Sequence, residues 1–155
     1  MINIYKYFTI WSLLISYSIL IWSIFIGIPK WLFLFALSLL TMTSIMGTFF
    51  ITLPAVDIKK DSRNITKKQV ILEDSLIHSG PLIAVLLFFG ILSKNTIINS
   101  EPQFRKSFIF LLIFVVIYYV SMNFEQVYES FDYFTLLILS GAIFASSYQI
   151  YVKLL

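Results

Sequence analysis

Five long apolar segments constrain the fold of this 155-residue chain more than any other feature. Each segment is about as long as a helix must be to cross roughly 30 Å of hydrocarbon. None alternates between apolar and polar residues, as a half-buried β-strand would. The sequence therefore predicts an all-α fold, a single-domain integral membrane bundle of about five transmembrane helices, over residues 7–28, 31–53, 76–93, 108–122 and 133–152.

The composition of the chain supports a membrane protein and excludes some kinds of catalytic and metal chemistry. Charged residues make up 12% of the chain, whereas a soluble domain has about 25%. The basic residues lie beside the apolar segments, where anionic lipid headgroups explain them without nucleic acid. The chain has no cysteine and one histidine, which excludes thiolate chemistry and argues against a histidine-based metal cluster. We expect a multi-pass integral membrane protein without a cofactor, in a membrane that the sequence does not identify.

The connections between the segments differ in length and charge. The first, residues 27–30, is so short that the first two helices should be antiparallel neighbours. The second, residues 55–75, is long and charged, and the fourth, residues 123–132, carries only acidic charges. We expect the fourth connection to lie near the basic side chains of the second. Five spans would place the two chain termini on opposite sides of the membrane.

The single histidine, His78, lies at the start of the third apolar segment. Asp74 precedes it by four residues, so on a helix the two share a face, and the carboxylate can accept a hydrogen bond from the imidazole. Pro81 has no N–H and leaves the carbonyl of Ile77 as a free acceptor. An ionisable residue at membrane depth is a functional-site hypothesis, and the alternative is a histidine that only anchors the helix at the headgroups.

Hydroxyl side chains form stripes on the first two helices, and such stripes ordinarily serve helix packing. Thr9 differs from the rest because Thr9 and His78 are both predicted within the first turn from the same side of the membrane. A hydroxyl and an imidazole at matched depth make a nucleophile–base pair, with Asp74 as the orienting third group. Hydroxyls near Ser79 or Thr52 would then stabilise the developing oxyanion.

Two stretches of the chain resemble a known family, the androgen-induced membrane hydrolases and related multi-pass bacterial proteins. Residues 5–12, YKYFTIWS, are similar to the start of the family's threonine-bearing helix. Residues 72–82, LEDSLIHSGPL, resemble its acid–Leu–x–His–x–x–Pro segment. The resemblance covers about two thirds of the chain. It implies hydrolysis of lipid esters, including fatty acid esters of hydroxy fatty acids, with Thr9 as nucleophile and His78 as base. Asp74 would be a supporting acid, although it is not one of the family's catalytic positions.

The chain departs from the family pattern in three places. The family usually has six helices, and the one before the threonine helix is missing here. The polar residue after the threonine, commonly Asn, falls at Ser12 or Leu13, and the aromatic–Pro entry to the last helix is reduced to residues 128–133, YESFDY.

Two hypotheses about function follow from these residues. The first is a membrane hydrolase whose lipid-ester substrate enters laterally from the bilayer. The second is a non-enzymatic bundle, a complex subunit or transporter-like protein, in which His78 and the acids form a structural or proton-handling cluster. The distance between Thr9 and His78 discriminates between them. Whether the chain also has an oligomeric or membrane-complex partner stays open.

Overall fold

The computed structural model describes residues 8–48, 56–98, 104–121 and 133–154. Within these ranges the chain forms six α-helices and two short strands. They are α1 (Phe8–Ile26), β1 (Ile28–Pro29), α2 (Lys30–Ile45), α3 (Val56–Arg63), α4 (Lys67–Thr96), β2 (Ile97–Ile98), α5 (Phe104–Ser121) and α6 (Tyr133–Leu154). The all-α prediction is confirmed, and each of the five apolar segments forms a helix.

The predicted bounds of the third apolar helix were wrong at its start. Helix α4 has 30 residues and begins at Lys67, nine residues before the predicted start at residue 76. The separate helix α3 also lies inside the charged second connection. Helix α4 continues through Pro81, and the free carbonyl predicted at Ile77 stays a prediction.

Local signals around residue 66 explain where α3 ends and α4 begins. Asn64 adopts a left-handed backbone conformation with φ of 52°, which asparagine tolerates after a helix C-terminus. Thr66 then caps α4. The Gln69 N–H donates to the Thr66 hydroxyl at 3.3 Å, and the Thr66 N–H donates to the Gln69 side-chain oxygen at 2.9 Å. This reciprocal pair is a capping box, and it allows the helix to start in polar sequence.

Three of the helices in the described ranges are long and apolar enough to cross a membrane: Phe8–Ile26, Lys30–Thr48 and Lys67–Leu87. Most of the second is buried inside the bundle, whereas most of the other two lies at its surface. A helix that is apolar on all sides and central to a bundle is expected to be buried. The exposed faces of α1 and α4 carry large apolar side chains such as Leu14, Phe25 and Leu87, which fits a membrane protein.

Helices α1 and α2 are antiparallel, as predicted. Gly27 turns the chain between them with φ of 72°, a conformation that glycine adopts without steric cost. The buried Ser12 hydroxyl pairs with Thr43, and the Ser16 hydroxyl donates to the Ala36 carbonyl at 3.3 Å. Later residues of α1 therefore contact earlier residues of α2, so the two helices run in opposite directions.

Helices α1 and α4 run parallel to one another. At one end Thr9 meets His78, and at the other end β1 pairs in parallel with β2, Ile28 opposite Ile97. In both segments the two meeting points are nineteen positions apart, and most of that distance is helix. Nineteen positions correspond to about 28 Å at the rise of an α-helix. This length is close to the roughly 30 Å of a bilayer core.

Helices α5 and α6 complete the alternation of directions. The Ser107 hydroxyl, near the start of α5, donates to the Trp31 carbonyl at 2.7 Å. The ring of Tyr118, near its end, lies 5.2 Å from the ring of Phe8. Helix α5 therefore runs from the strand end to the Thr9 end. Helix α6 returns, because the Ser140 hydroxyl contacts Met42 at 3.8 Å and the ring of Tyr148 lies 4.9 Å from Phe104 at the strand end.

Some predictions fall outside the residues that the structure describes. These are Thr52 as an oxyanion donor and the acidic connection at residues 123–132 with its expected basic partners.

Candidate functional site

Thr9 and His78, which are 69 residues apart in sequence, face one another at one end of the bundle. The Thr9 hydroxyl oxygen, Oγ1, lies 3.4 Å from Nδ1 of His78. Thr9 is 8% exposed and therefore faces the bundle and not its surroundings. The predicted close approach of the two side chains is confirmed. The distance is long for a hydrogen bond but lies within the looseness that nucleophile–base pairs show without substrate.

The imidazole of His78 packs against Gly47 on α2. Residues 46–48 continue α2 as a π-helical turn, a local widening that often occurs at functional sites. A Cβ atom at Gly47 would lie 2.8 Å from the His78 Cβ and closer still to its Cγ and Nδ1. Only glycine fits this approach. Gly47 was not among the residues predicted for the site, although an isolated glycine in an apolar helix is a signal of close packing.

Three hydroxyl groups join α2 to α4 beside the imidazole. The Ser79 hydroxyl lies 2.7 Å from the Ser44 hydroxyl and 3.3 Å from the Thr48 hydroxyl. Ser79 follows His78 directly on α4, so these contacts fix the backbone that carries the imidazole. The predicted oxyanion donor Ser79 is thus next to the pair, with its hydroxyl shared with α2.

A second set of hydroxyl contacts fixes the position of Thr9. The Ser12 hydroxyl donates to the Thr9 carbonyl at 3.1 Å and pairs with the hydroxyl of Thr43 on α2. Ser12 and Thr43 are both buried. The stripe on α1 therefore packs against α2, as hydroxyl stripes in membrane helices commonly do, and it holds Thr9 at the edge of that contact.

Asp74 is buried and is bound by two basic side chains of α3. Its Oδ2 accepts from Lys59, and its Oδ1 accepts from Arg63 at 3.1 Å. Arg63 also lies 3.6 Å from Glu73. The carboxylate that was predicted to orient His78 thus docks α3 onto α4, one turn before the imidazole. The role of Asp74 as a supporting acid stays a prediction.

An apolar cleft of about 320 Å³ lies at the opposite end of α1, where the chain turns into α2, and it is lined by Ser18, Ile19, Trp22, Gly27, Ile28, Pro29 and Leu32. Because Thr9 is at the other end of α1, this cleft does not adjoin the Thr9–His78 pair. Among the described residues, no three histidine, cysteine or acidic side chains gather as a metal site requires.

The fold and the site define an all-α bundle of apolar helices with a threonine–histidine pair at one end. The chain matches no family model, no curated protein and no solved structure. Its function is therefore inferred from the geometry of this pair and its surroundings.

Proposed function

We propose that this chain is a multi-pass integral membrane protein that hydrolyses a lipid ester, with Thr9 as nucleophile and His78 as general base. The observation that carries the proposal is the 3.4 Å approach of Thr9 Oγ1 to His78 Nδ1. A threonine hydroxyl is a poor nucleophile unless a base is adjacent. The resemblance to the androgen-induced membrane hydrolases supports the proposal, because it selects the same two residues from the sequence.

In the proposed reaction, Nδ1 of His78 removes the proton from Thr9 Oγ1 as this oxygen attacks the ester carbonyl carbon. The new C–O bond gives a tetrahedral oxyanion. Its collapse breaks the bond to the alcohol, which leaves with the proton from the imidazolium. Water activated by His78 then hydrolyses the acyl-threonine, which releases the fatty acid and restores the Thr9 hydroxyl.

The position of the pair suits a lipid substrate. In the proposed topology the pair would lie near one surface of the membrane, because the helices alternate in direction and the spacing of about 28 Å is close to the thickness of a bilayer core. The ester groups of membrane lipids lie near the membrane surface. Water is available there for the second step of the proposed reaction. In this proposal the Ser79 hydroxyl, on the residue that follows His78, would turn from its contact with Ser44 to donate to the oxyanion.

A fluorophosphonate probe tests the proposal on the protein purified in detergent. The probe reacts with an activated hydroxyl, so wild type should be labelled at Thr9, and Thr9→Ala and His78→Ala should not be. Thr41→Ala is the matched control, because Thr41 is also a buried threonine but donates to the Leu37 carbonyl of its own helix at 2.8 Å. Undiminished labelling of Thr9→Ala would contradict the proposal.

The second candidate is a non-enzymatic bundle in which the same residues hold helices together. The observation that favours it is the hydroxyl cluster of Ser79, Ser44 and Thr48, which joins α2 to α4 whether or not a reaction occurs. Under this candidate, wild type reacts with neither probe nor ester, and Thr9→Ala lowers the unfolding temperature without any change in reactivity.

A further inference from the structure

We infer that Gly47 is a positioning residue for His78. Its lack of a side chain lets the imidazole lie against α2 with Nδ1 directed at Thr9. The inference rests on the proposed function where it concerns reaction with an ester. The placement of the ring can be tested without any reaction with an ester.

The atoms involved show why the glycine matters for this pair. A Cβ at position 47 would collide with Cβ, Cγ and Nδ1 of His78. Rotation of the ring about the Cβ–Cγ bond moves neither Cβ nor Cγ, so it does not remove the collision. The third, Nδ1, is the atom that faces Thr9 Oγ1. Any side chain at position 47 therefore displaces the nitrogen that would accept the threonine proton.

Hydroxyl contacts beside Gly47 hold α4 close to α2 and oppose the separation of the two helices. Ser44 and Thr48, on either side of Gly47 in sequence, both contact the Ser79 hydroxyl. Ser79 is the neighbour of His78 in the chain. A side chain at position 47 is therefore expected to displace the imidazole before it separates the two helices.

Gly80 provides a matched control on α4 itself. It lies two residues after His78, and a Cβ there would meet no atom within 4 Å apart from its chain neighbours and the nearby backbone of its own helix. Its φ is not positive, since among the described glycines only Gly27 has a positive φ. Gly80→Ala should therefore be tolerated, since alanine also has the higher helix propensity.

Histidine-selective isotope labelling and NMR measure the ring directly, on full-length protein in detergent with a purification tag that lacks histidine. Because the chain has a single histidine, the imidazole signal reports His78 alone. Gly47→Ala should shift this signal and slow fluorophosphonate labelling of Thr9 by about 100-fold, the size expected when a reacting group is misplaced by about 1 Å. Gly80→Ala should change neither. A wild-type imidazole signal in Gly47→Ala would overturn the inference.

The two readouts separate the inference from the proposed function. If the probe does not label wild type but Gly47→Ala still shifts the imidazole signal, hydrolysis is contradicted and the positioning of His78 by Gly47 is supported. If Gly47→Ala does not fold, the double variant with His78→Gly decides, because loss of the imidazole and of its Cβ leaves room for the new methyl group. The double variant should unfold at the same temperature as His78→Gly. A double variant as impaired as Gly47→Ala would overturn the inference.

Discussion

Arg63 Nη1 donates to Asp74 Oδ1 at 3.1 Å and so fixes helix α3 to the turn of α4 that precedes His78. Lys59 binds the other carboxylate oxygen. The Asp74 side chain is only 4% exposed, whereas those of Lys59 and Arg63 are 23% and 43% exposed. The carboxylate is thus the buried member of the cluster, and its two cations reach it from the edge of the bundle.

Asp74→Ala should destabilise the protein because it removes the buried carboxylate that binds both Lys59 and Arg63. We expect a loss of about 1 kcal/mol in the free energy of unfolding, at the low end of the range for such losses because water still reaches both cations. Asp61→Ala is the control, since its carboxylate is 73% exposed and pairs with Lys60 at 3.2 Å on the surface. Thermal unfolding in detergent measures both, and equal unfolding temperatures would argue against a docking role for Asp74.

Thr9 and His78 should behave as one unit in kinetics. If the base acts only through the threonine hydroxyl, Thr9→Ala and His78→Ala each remove the whole effect, and the double variant is no slower than either. Thr9→Ser keeps the hydroxyl and should retain hydrolysis. The measurement is the rate of ester hydrolysis by these four variants and by wild type under one set of conditions. A double variant slowed by the product of the two single effects would show that the residues act independently.

The hydrogen bonds between helices should matter more than those within a helix. Ser12→Ala removes the contact with Thr43 across the α1–α2 interface, and we expect a loss of about 0.6 kcal/mol, the typical value for such bonds in membrane bundles. Ser18→Ala is the control, because the exposed Ser18 hydroxyl donates to the Leu14 carbonyl of its own helix at 2.7 Å. Equal unfolding temperatures for the two variants would contradict the role of Ser12.

The two ends of the bundle should face opposite sides of the membrane. The chain contains no cysteine, so single cysteines can be introduced without a background. Lys60→Cys lies on α3 at the His78 end, and Lys30→Cys lies next to β1 at the other end. In sealed vesicles a membrane-impermeant maleimide should modify one of them before permeabilisation and the other only afterwards. Modification of both from one side would refute the proposed topology.

The Thr9–His78 approach could be predicted from the sequence because both residues lie at the start of apolar segments that enter the predicted bundle from the same side. The prediction that His78 lies in the first turn of its helix was wrong, because α4 begins at Lys67. The partners of Asp74 could not be predicted in this way. Helix α3 has no apolar run to mark it, and the capping box at Thr66 and Gln69 marks the start of α4 and not that of α3. The contact of Gly47 with His78 could not be predicted from the sequence either, because it depends on a π-helical turn that tertiary packing determines.

The pairing of β1 with β2 has a consequence for motion. Because Ile28 is matched to Ile97 at one end and Thr9 to His78 at the other, α1 and α4 cannot slide past one another without loss of both contacts. One inserted residue in either helix would rotate everything beyond it by about 100° and advance it by about 1.5 Å. The register of the strand pair at one end of the bundle therefore fixes how far along α1 the imidazole lies at the other end.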